Sequence, residues 1–287
     1  MTAAVTAPPP RARARRARRL LPYAGIAAVV LYCLVPFYWM VVSAFRRPQD
    51  QFDNSIVPVR WSLENFGAVF GGGNGFGRAL VNSFVVAGAT TALTLVIGVF
   101  TAYALARLDF PFKNAILGII IGTTMFPGIS QLIPLLKLFT DIEWINTYQA
   151  MVLPSLGFAL PLTVWLLTAF FRQLPFELEQ AAMVDGCGRG QAFRKIIVPL
   201  AAPGVFTTAI ITFLTTWNEF IIALSVVNEK EMQTATVAIS KFTGVSGFDQ
   251  PFGTQMAAGV IVTVPLVVVV LIFQRRIVAG LAAGGVK

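Results

Sequence analysis

The sequence predicts an all-α membrane protein with six spanning helices, and three observations carry that prediction. Of 287 residues, 56% are hydrophobic and only 12% charged, with a mean hydropathy of +0.74. A soluble domain carries about a quarter charged residues, so the main solvent for this chain is lipid. The second observation is spacing. Uncharged stretches run Leu20–Phe45, Ala79–Ala106, Asn114–Leu136, Trp144–Phe171, Ile196–Asn218 and Gln250–Gln274. Each exceeds the roughly 20 residues a helix needs to cross a hydrocarbon core of about 30 Å. Third, lipid offers backbone groups no partner, so only helices and closed barrels cross it, and these stretches are far too long for barrel strands.

Taken in order, residues 1–19 are rich in Pro, Ala and Arg and read as a disordered basic tail. Leu20–Phe45 is longer than the roughly 7–15-residue apolar region of a cleaved signal peptide, so it is expected to stay as the first span. Arg46–Phe76 is an outer segment in which Trp61–Phe66 suggests a short surface helix. Gly71–Gly77 superficially looks like a phosphate loop, but it lacks the Lys-Ser/Thr pair and follows no strand, so it reads as a linker. Arg107–Lys113, with Pro111, is a tight inner turn, and Asp141–Tyr148 a brief outer one. Residues 173–199 form a polar insert inside, and Val227–Phe252 a longer outer loop rich in Thr, Gly and Gln. Residues 20–273 thus form one membrane domain, followed by a Gly/Ala-rich tail over 274–287.

Lys and Arg orient this arrangement. With the N-terminus inside, inner segments hold fifteen of the 22 basic residues, which places both termini in the cytoplasm of a multi-pass plasma-membrane protein. The run Arg11–Arg19 abuts an apolar span, so it reads as a topology and lipid-headgroup signal; no nucleic-acid partner is implied. Cys33 and Cys187 fall on a span and in the insert, and there is no histidine, so neither a disulfide nor a metal-ligand set is expected.

The spans are not uniformly apolar. Pro127 and Pro134 interrupt the third, Pro154 and Pro161 the fourth, and Pro265 the sixth. Each removes a backbone hydrogen bond and bends its helix. Proline is common in membrane helices; the functional alternative is that spans three and four line a path, with Phe126 and Pro154 on it. Glu219, in Trp217-Asn218-Glu219-Phe220, is an acid embedded in apolar sequence. Ionisable groups at depth are usually functional, so Glu219 is either a path residue or a cap near the outer interface. Trp217 either stacks on an apolar sugar face or belongs to the interfacial aromatic belt. A lone acid of this kind is too few for a proton-relay carrier.

The insert is the most informative segment. Pro175 suits a helix's first turn, with Glu177 and Glu179 near the positive end of its dipole. Leu178, Ala181, Ala182 and Val184 offer small or apolar contact points. Asp185 and Gly186 then break the helix, Gly for its backbone freedom and Asp as a cap for the next. A second short helix over Gln191–Ile197 leads into Pro199 and span five. Two short helices joined at a glycine bend make a lever for a cytoplasmic partner. An amphipathic hairpin lying on lipid is the alternative.

The run Glu179-Gln180-Ala181-Ala182-Met-Val-Asp185-Gly186, with Phe193, Ile196 and Pro199 downstream, resembles the EAA loop of ATP-binding-cassette importer permeases. Asn82-Ser83, Ala102–Arg107, Trp217–Phe220 and the tail Gln274–Lys287 are similar to the smaller permease of maltose-type carbohydrate importers. Phe193–Gly204 and the tail are most similar to the permeases of actinobacterial trehalose importers. The sequence departs from the family at two places: the family's first loop Glu is Gln180 here, and Cys187 stands where Ala usually follows Asp-Gly. The resemblance covers residues 20–287 and implies a translocation subunit rather than an enzyme. It implies a second homologous permease, two ATPase subunits holding ATP and magnesium, and an extracytoplasmic solute-binding protein or lipoprotein. No cofactor is implied on this chain. Sugar, trehalose or a related disaccharide, is the implied solute; glycerol phosphate or a self-sufficient secondary carrier are the alternatives.

Overall fold

The computed structural model describes residues 10–71, 73, 75–242 and 251–285, with side chains over 22–71, 73, 75–242 and 251–274. Regular structure among them is entirely helical. In chain order come α1 (Pro10–Ala44), α2 (Glu64–Phe70), α3 (Phe76–Arg107), α4 (Lys113–Gly122), α5 (Gly128–Asp141) and α6 (Tyr148–Gln173). They are followed by α7 (Glu177–Val184), α8 (Arg189–Ala192), α9 (Val198–Trp217), α10 (Ile221–Val226), α11 (Ala235–Ser240) and α12 (Phe252–Gly285). Short 3₁₀ turns occur at Pro48–Asp50, Thr123–Met125 and Lys230–Met232, and one π-turn at Phe193–Ile197.

Five unbroken stretches are long and apolar enough to span a membrane: Pro22–Ala44, Phe76–Arg107, Tyr148–Gln173, Arg189–Trp217 and Phe252–Gln274. The third expected span is not one helix. Lys113–Met125 and Gly128–Asp141 meet at a bend of 88°. Pro127 explains the break: it lacks an N–H, and it drives Phe126 into extended backbone, φ −74° and ψ 129°. By contrast Pro154 and Pro161 are absorbed within a continuous α6.

One further expectation needs correcting. Residues 10–19 of the basic tail are helical and continue into the first span; their Ala and Arg residues are strong helix formers, and Pro10 suits a first turn. Residues 1–9 lie outside the described residues. Likewise α12 carries on through the expected tail to Gly285, and 286–287 lie outside the described residues.

The chain divides into two compact units. In the first, residues 1–69 with 250–260, Arg46 is 2% exposed at the end of α1. Its guanidinium donates to the Asp53 and Ser55 carbonyls and lies 4.9 Å over the Trp39 ring. Asn65, on the expected surface helix, donates to the carbonyls of Ala44 and Arg46 at 3.0 and 2.7 Å, satisfying the open end of α1. Gly253 permits this arrangement, because a Cβ there would fall 2.7 Å from the Asn65 side chain.

The second unit, residues 70–249 and 261–287, is built on α3, α6 and α9. The buried face of α3 is mostly small: Ala79, Ser83, Ala87, Thr90, Thr94, Gly98 and Ala102 recur every three or four residues. Helices in lipid gain no hydrophobic advantage from meeting, so small residues that admit close van der Waals contact drive association. At Gly98 a Cβ would lie 2.6 Å from the Thr163 methyl of α6, and at Gly204 of α9 one would lie 2.5 Å from the Phe170 ring. Thr163 and Thr212 share a buried hydrogen bond at 3.1 Å that ties α6 to α9.

Candidate functional site

The insert between α6 and α9 forms a helix with two distinct faces. Glu179, in the first turn of α7, points inward and is 4% exposed. The Tyr103 hydroxyl donates to its Oε1 at 2.5 Å, and Arg107 Nε stands 3.9 Å from its Oε2. Arg107 also donates to the Leu174 carbonyl at 2.7 Å and lies over the Phe176 ring at 5.6 Å. Both partners of Glu179 come from the end of α3, four residues apart and therefore on one face. Ala182, one turn on, is buried as well. The opposite face carries Leu178, Ala181 and Val184, all exposed, Val184 by 86%. Gln180 and Asp185 are also exposed.

Gly186 closes α7 with φ +90°, a left-handed conformation that favours glycine. Its N–H donates to Met183 at 3.1 Å and that of Cys187 to Ala182 at 2.9 Å, the paired bonds of a Schellman motif. Asp185 therefore ends α7 and does not cap the following helix, which starts only at Arg189. The Gly188 N–H is instead met by the Gln191 side chain at 3.1 Å. Nor is there a separate second short helix: α8, the π-turn and α9 run on as one span from Arg189. The π-turn precedes Pro199, which has no N–H to offer the preceding turn, and the Val198 N–H reaches back to the Phe193 carbonyl. That register buries Phe193 and Ile197 against Ala102, Leu167 and Phe171, with the Phe193 ring 4.5 Å from Tyr103. Ile196 is half-buried and Pro199 exposed. Beside this cluster the α3–α4 turn is closed by Lys113 donating to Asp109 at 2.8 Å, a bond that lowers the carboxyl's pKa from its ordinary value.

A second constellation lies at the broken span. Phe126 and Pro154 line one cavity of about 460 Å³, together with Thr123, Thr124, Gln131 and Pro161. Glu219 lines another of about 360 Å³ beside Ile129 and Ile222, and Gly128 and Phe158 border both. The Glu219 carboxylate accepts the N–H groups of Ile222 at 2.7 Å and Ala223 at 3.1 Å, so it caps α10. Trp217 does not join these cavities. It is 2% exposed, with Phe84 and Phe213 rings at 4.6 and 5.6 Å, so neither reading made from the sequence, sugar platform or interfacial belt, describes its setting. Asn218 is exposed, donates to the Leu214 carbonyl at 2.8 Å and lines neither cavity.

Residues 94–282 match the family described as binding-protein-dependent transport system inner membrane component. The chain belongs to that family. This permease is 43% identical over 272 residues to the trehalose transport system permease protein SugB of Mycobacterium tuberculosis, covering 94% of this chain and 99% of that protein. It is 38% identical to the trehalose/maltose transport system permease protein MalG of Thermococcus litoralis, over 94% of this chain and 97% of the relative. Among solved structures, a bacterial ABC transporter that imports the acidic polysaccharide alginate has the same fold, with a TM-score of 0.77 at 19% identity over 92% of this chain and 97% of that one.

In the sequence, Tyr103 and Arg107 stand out only as part of the stretch Ala102–Arg107 that resembles the family, without a role. A Tyr and an Arg spaced i, i+4 at the polar end of an apolar span was the available signal; its partner, 72 residues downstream of Arg107, was not. Asn82 and Ser83 are a parallel case at the other end of α3. Asn82 donates to the carbonyls of Glu231 and Gln233 at 2.8 and 2.9 Å and accepts from Tyr148 at 2.7 Å, while Ser83 accepts the Ala235 N–H at 2.9 Å. In this permease they hold the segment from Glu231 to Ala235 down onto α3.

Proposed function

We propose that this permease is the smaller membrane subunit of an ATP-driven importer of trehalose or a related disaccharide. It pairs with a second homologous permease, draws on two cytoplasmic ATPase subunits that hold ATP and magnesium, and receives sugar from an extracytoplasmic binding protein or lipoprotein. Both termini face the cytoplasm, as the Lys/Arg distribution favours. The chain is a translocation subunit and carries no catalytic residue of its own in this reading.

The observation that carries the reading is the two-faced α7. Nucleotide state in an ATPase can bias a membrane cavity only through contacts that differ between states. The Leu178–Ala181–Val184 strip is an exposed face suited to a cleft on such a partner, while Glu179 ties the helix to α3. The sugar is supported by the trehalose-linked names of the relatives at 43% and 38% identity. A neutral solute agrees with the lining of the cavity at Phe126 and Pro154, which carries no charged side chain among the described residues, and this disfavours glycerol phosphate. A second reading, another glycoside, is favoured by 37% identity to the sulfoquinovosyl glycerol transport system permease protein SmoH of Agrobacterium fabrum.

The test is reconstitution of the whole complex in vesicles with its binding protein. ATP-dependent uptake of trehalose, ahead of maltose and glycerol phosphate, is the expected outcome. Uptake by this chain without ATPase subunits would make it a secondary carrier, and import of glycerol phosphate alone would replace the sugar.

A further inference from the structure

The third span breaks between Gly122 and Gly128, roughly midway between Lys113 and Lys137 at its two ends. Irregular backbone at that depth survives only where it is covered by protein or faces a water-filled cavity, because lipid cannot satisfy it. The break does open onto a cavity, of about 460 Å³, within the range of roughly 300–1,000 Å³ typical of small-molecule sites.

The lining has a consistent chemistry. Thr123 and Thr124 each donate their hydroxyl proton to their own helix, to Ile120 and Ile121 at 2.7 Å, which leaves oxygen lone pairs free to accept. The Gly157 carbonyl has no N–H four residues on, because that residue is Pro161. Gln131 adds an amide with no hydrogen bond among the described residues. Two aromatic rings complete the wall, Phe126 at 68% and Phe158 at 39% exposure. Acceptors without a formal charge, set beside apolar ring faces, match a molecule with many O–H donors and apolar C–H faces.

Resting on the reading of this chain as a disaccharide permease, we infer that this cavity is a sugar subsite on its own wall of the path. It takes one neutral pyranose ring, whose hydroxyls donate to Thr123, Thr124, Gln131 and the Gly157 carbonyl while a ring face stacks on Phe126 or Phe158. Pro127 and Pro161 serve it by freeing backbone.

The experiment uses the assembled complex in vesicles, with radiolabelled trehalose. Thr124→Val and Gln131→Leu conserve size and remove acceptors. Each is expected to lower uptake per ATP hydrolysed by about two- to tenfold, the worth of a net hydrogen bond, with sugar-stimulated ATP hydrolysis retained. In parallel, Phe126→Cys in a chain also carrying Cys33→Ser and Cys187→Ser is labelled with a small hydrophilic thiol reagent. Saturating trehalose is expected to slow that labelling several-fold, a readout that survives even if the acceptor variants assemble poorly. Unchanged uptake in both variants, or labelling indifferent to trehalose, overturns the subsite while wild-type import in the same vesicles leaves the importer reading standing. Import of no sugar by the wild-type complex overturns both.

Discussion

At the scale of single residues, the most consequential side chain is Glu179, because it turns away from the exposed face of α7. As part of the motif it is expected to serve the ATPase, yet in the structure it is withdrawn from the surface and held by Tyr103 and Arg107. Removing one charge of a buried pair strands the other, at a cost of roughly 3–5 kcal/mol. Glu179→Gln is therefore expected to lower the thermal midpoint of the purified permease and the sugar moved per ATP. A Gln can still accept from Tyr103, so the loss is assigned to the charge on Arg107. Combining Glu179→Gln with Arg107→Gln should recover much of the thermal midpoint; equal midpoints for wild type and Glu179→Gln would mean that the pair contributes nothing. Trp217 makes the opposite point. Its indole is legible as a membrane tryptophan, but only the Phe84 and Phe213 rings around it reveal that it packs inside.

At the scale of elements, α7 is a short helix whose end is closed by Gly186. Helices of eight residues are marginal on their own, so its angle depends on the Glu179 anchor at one end and the Schellman closure at the other. A β-branched residue at φ +90° is strained by about 1–3 kcal/mol. No atoms stand within 4 Å of a Cβ at Gly186, so this strain is conformational and not a clash. For Gly186→Val the expected outcome is a normally inserted permease that retains fewer ATPase subunits on purification, or hydrolyses ATP with little uptake. Wild-type retention and wild-type coupling together would reduce α7 to a surface helix. The π-turn at Phe193–Ile197 belongs to the same device, since its register seats Phe193 against the ring of Tyr103.

At the scale of the whole molecule, the prediction concerns sidedness. The fifteen-to-seven division of Lys and Arg predicts the insert inside and the 227–242 segment outside. In a chain whose cysteines are replaced, Asn228→Cys is exposed at the end of the loop clamped by Asn146 and should react with an impermeant thiol reagent in intact cells. Gly188→Cys should react only after permeabilisation. The reverse pattern would invert the topology and remove the ATPase from reach of α7.

Helical class, six apolar stretches (five of them unbroken spans and the sixth a bent pair) and the location of the polar insert follow from the sequence itself, because each is set by local composition: length of apolar runs, charge placement and the Gly186 signal. The break of the third span was half legible, since Pro127 announces a missing hydrogen bond but Pro154 and Pro161 announce the same and leave α6 continuous. What neighbouring elements absorb decides between those outcomes, and neighbours are not written locally. Only the tertiary structure decided that Glu179 meets Tyr103 and Arg107, that Asn82 clamps a loop some 150 residues away, and that Phe126 and Pro154 share one cavity. Each of these is a contact between segments distant in the chain, set by the small-residue packing of α3, α6 and α9, and no periodicity within either segment encodes its partner.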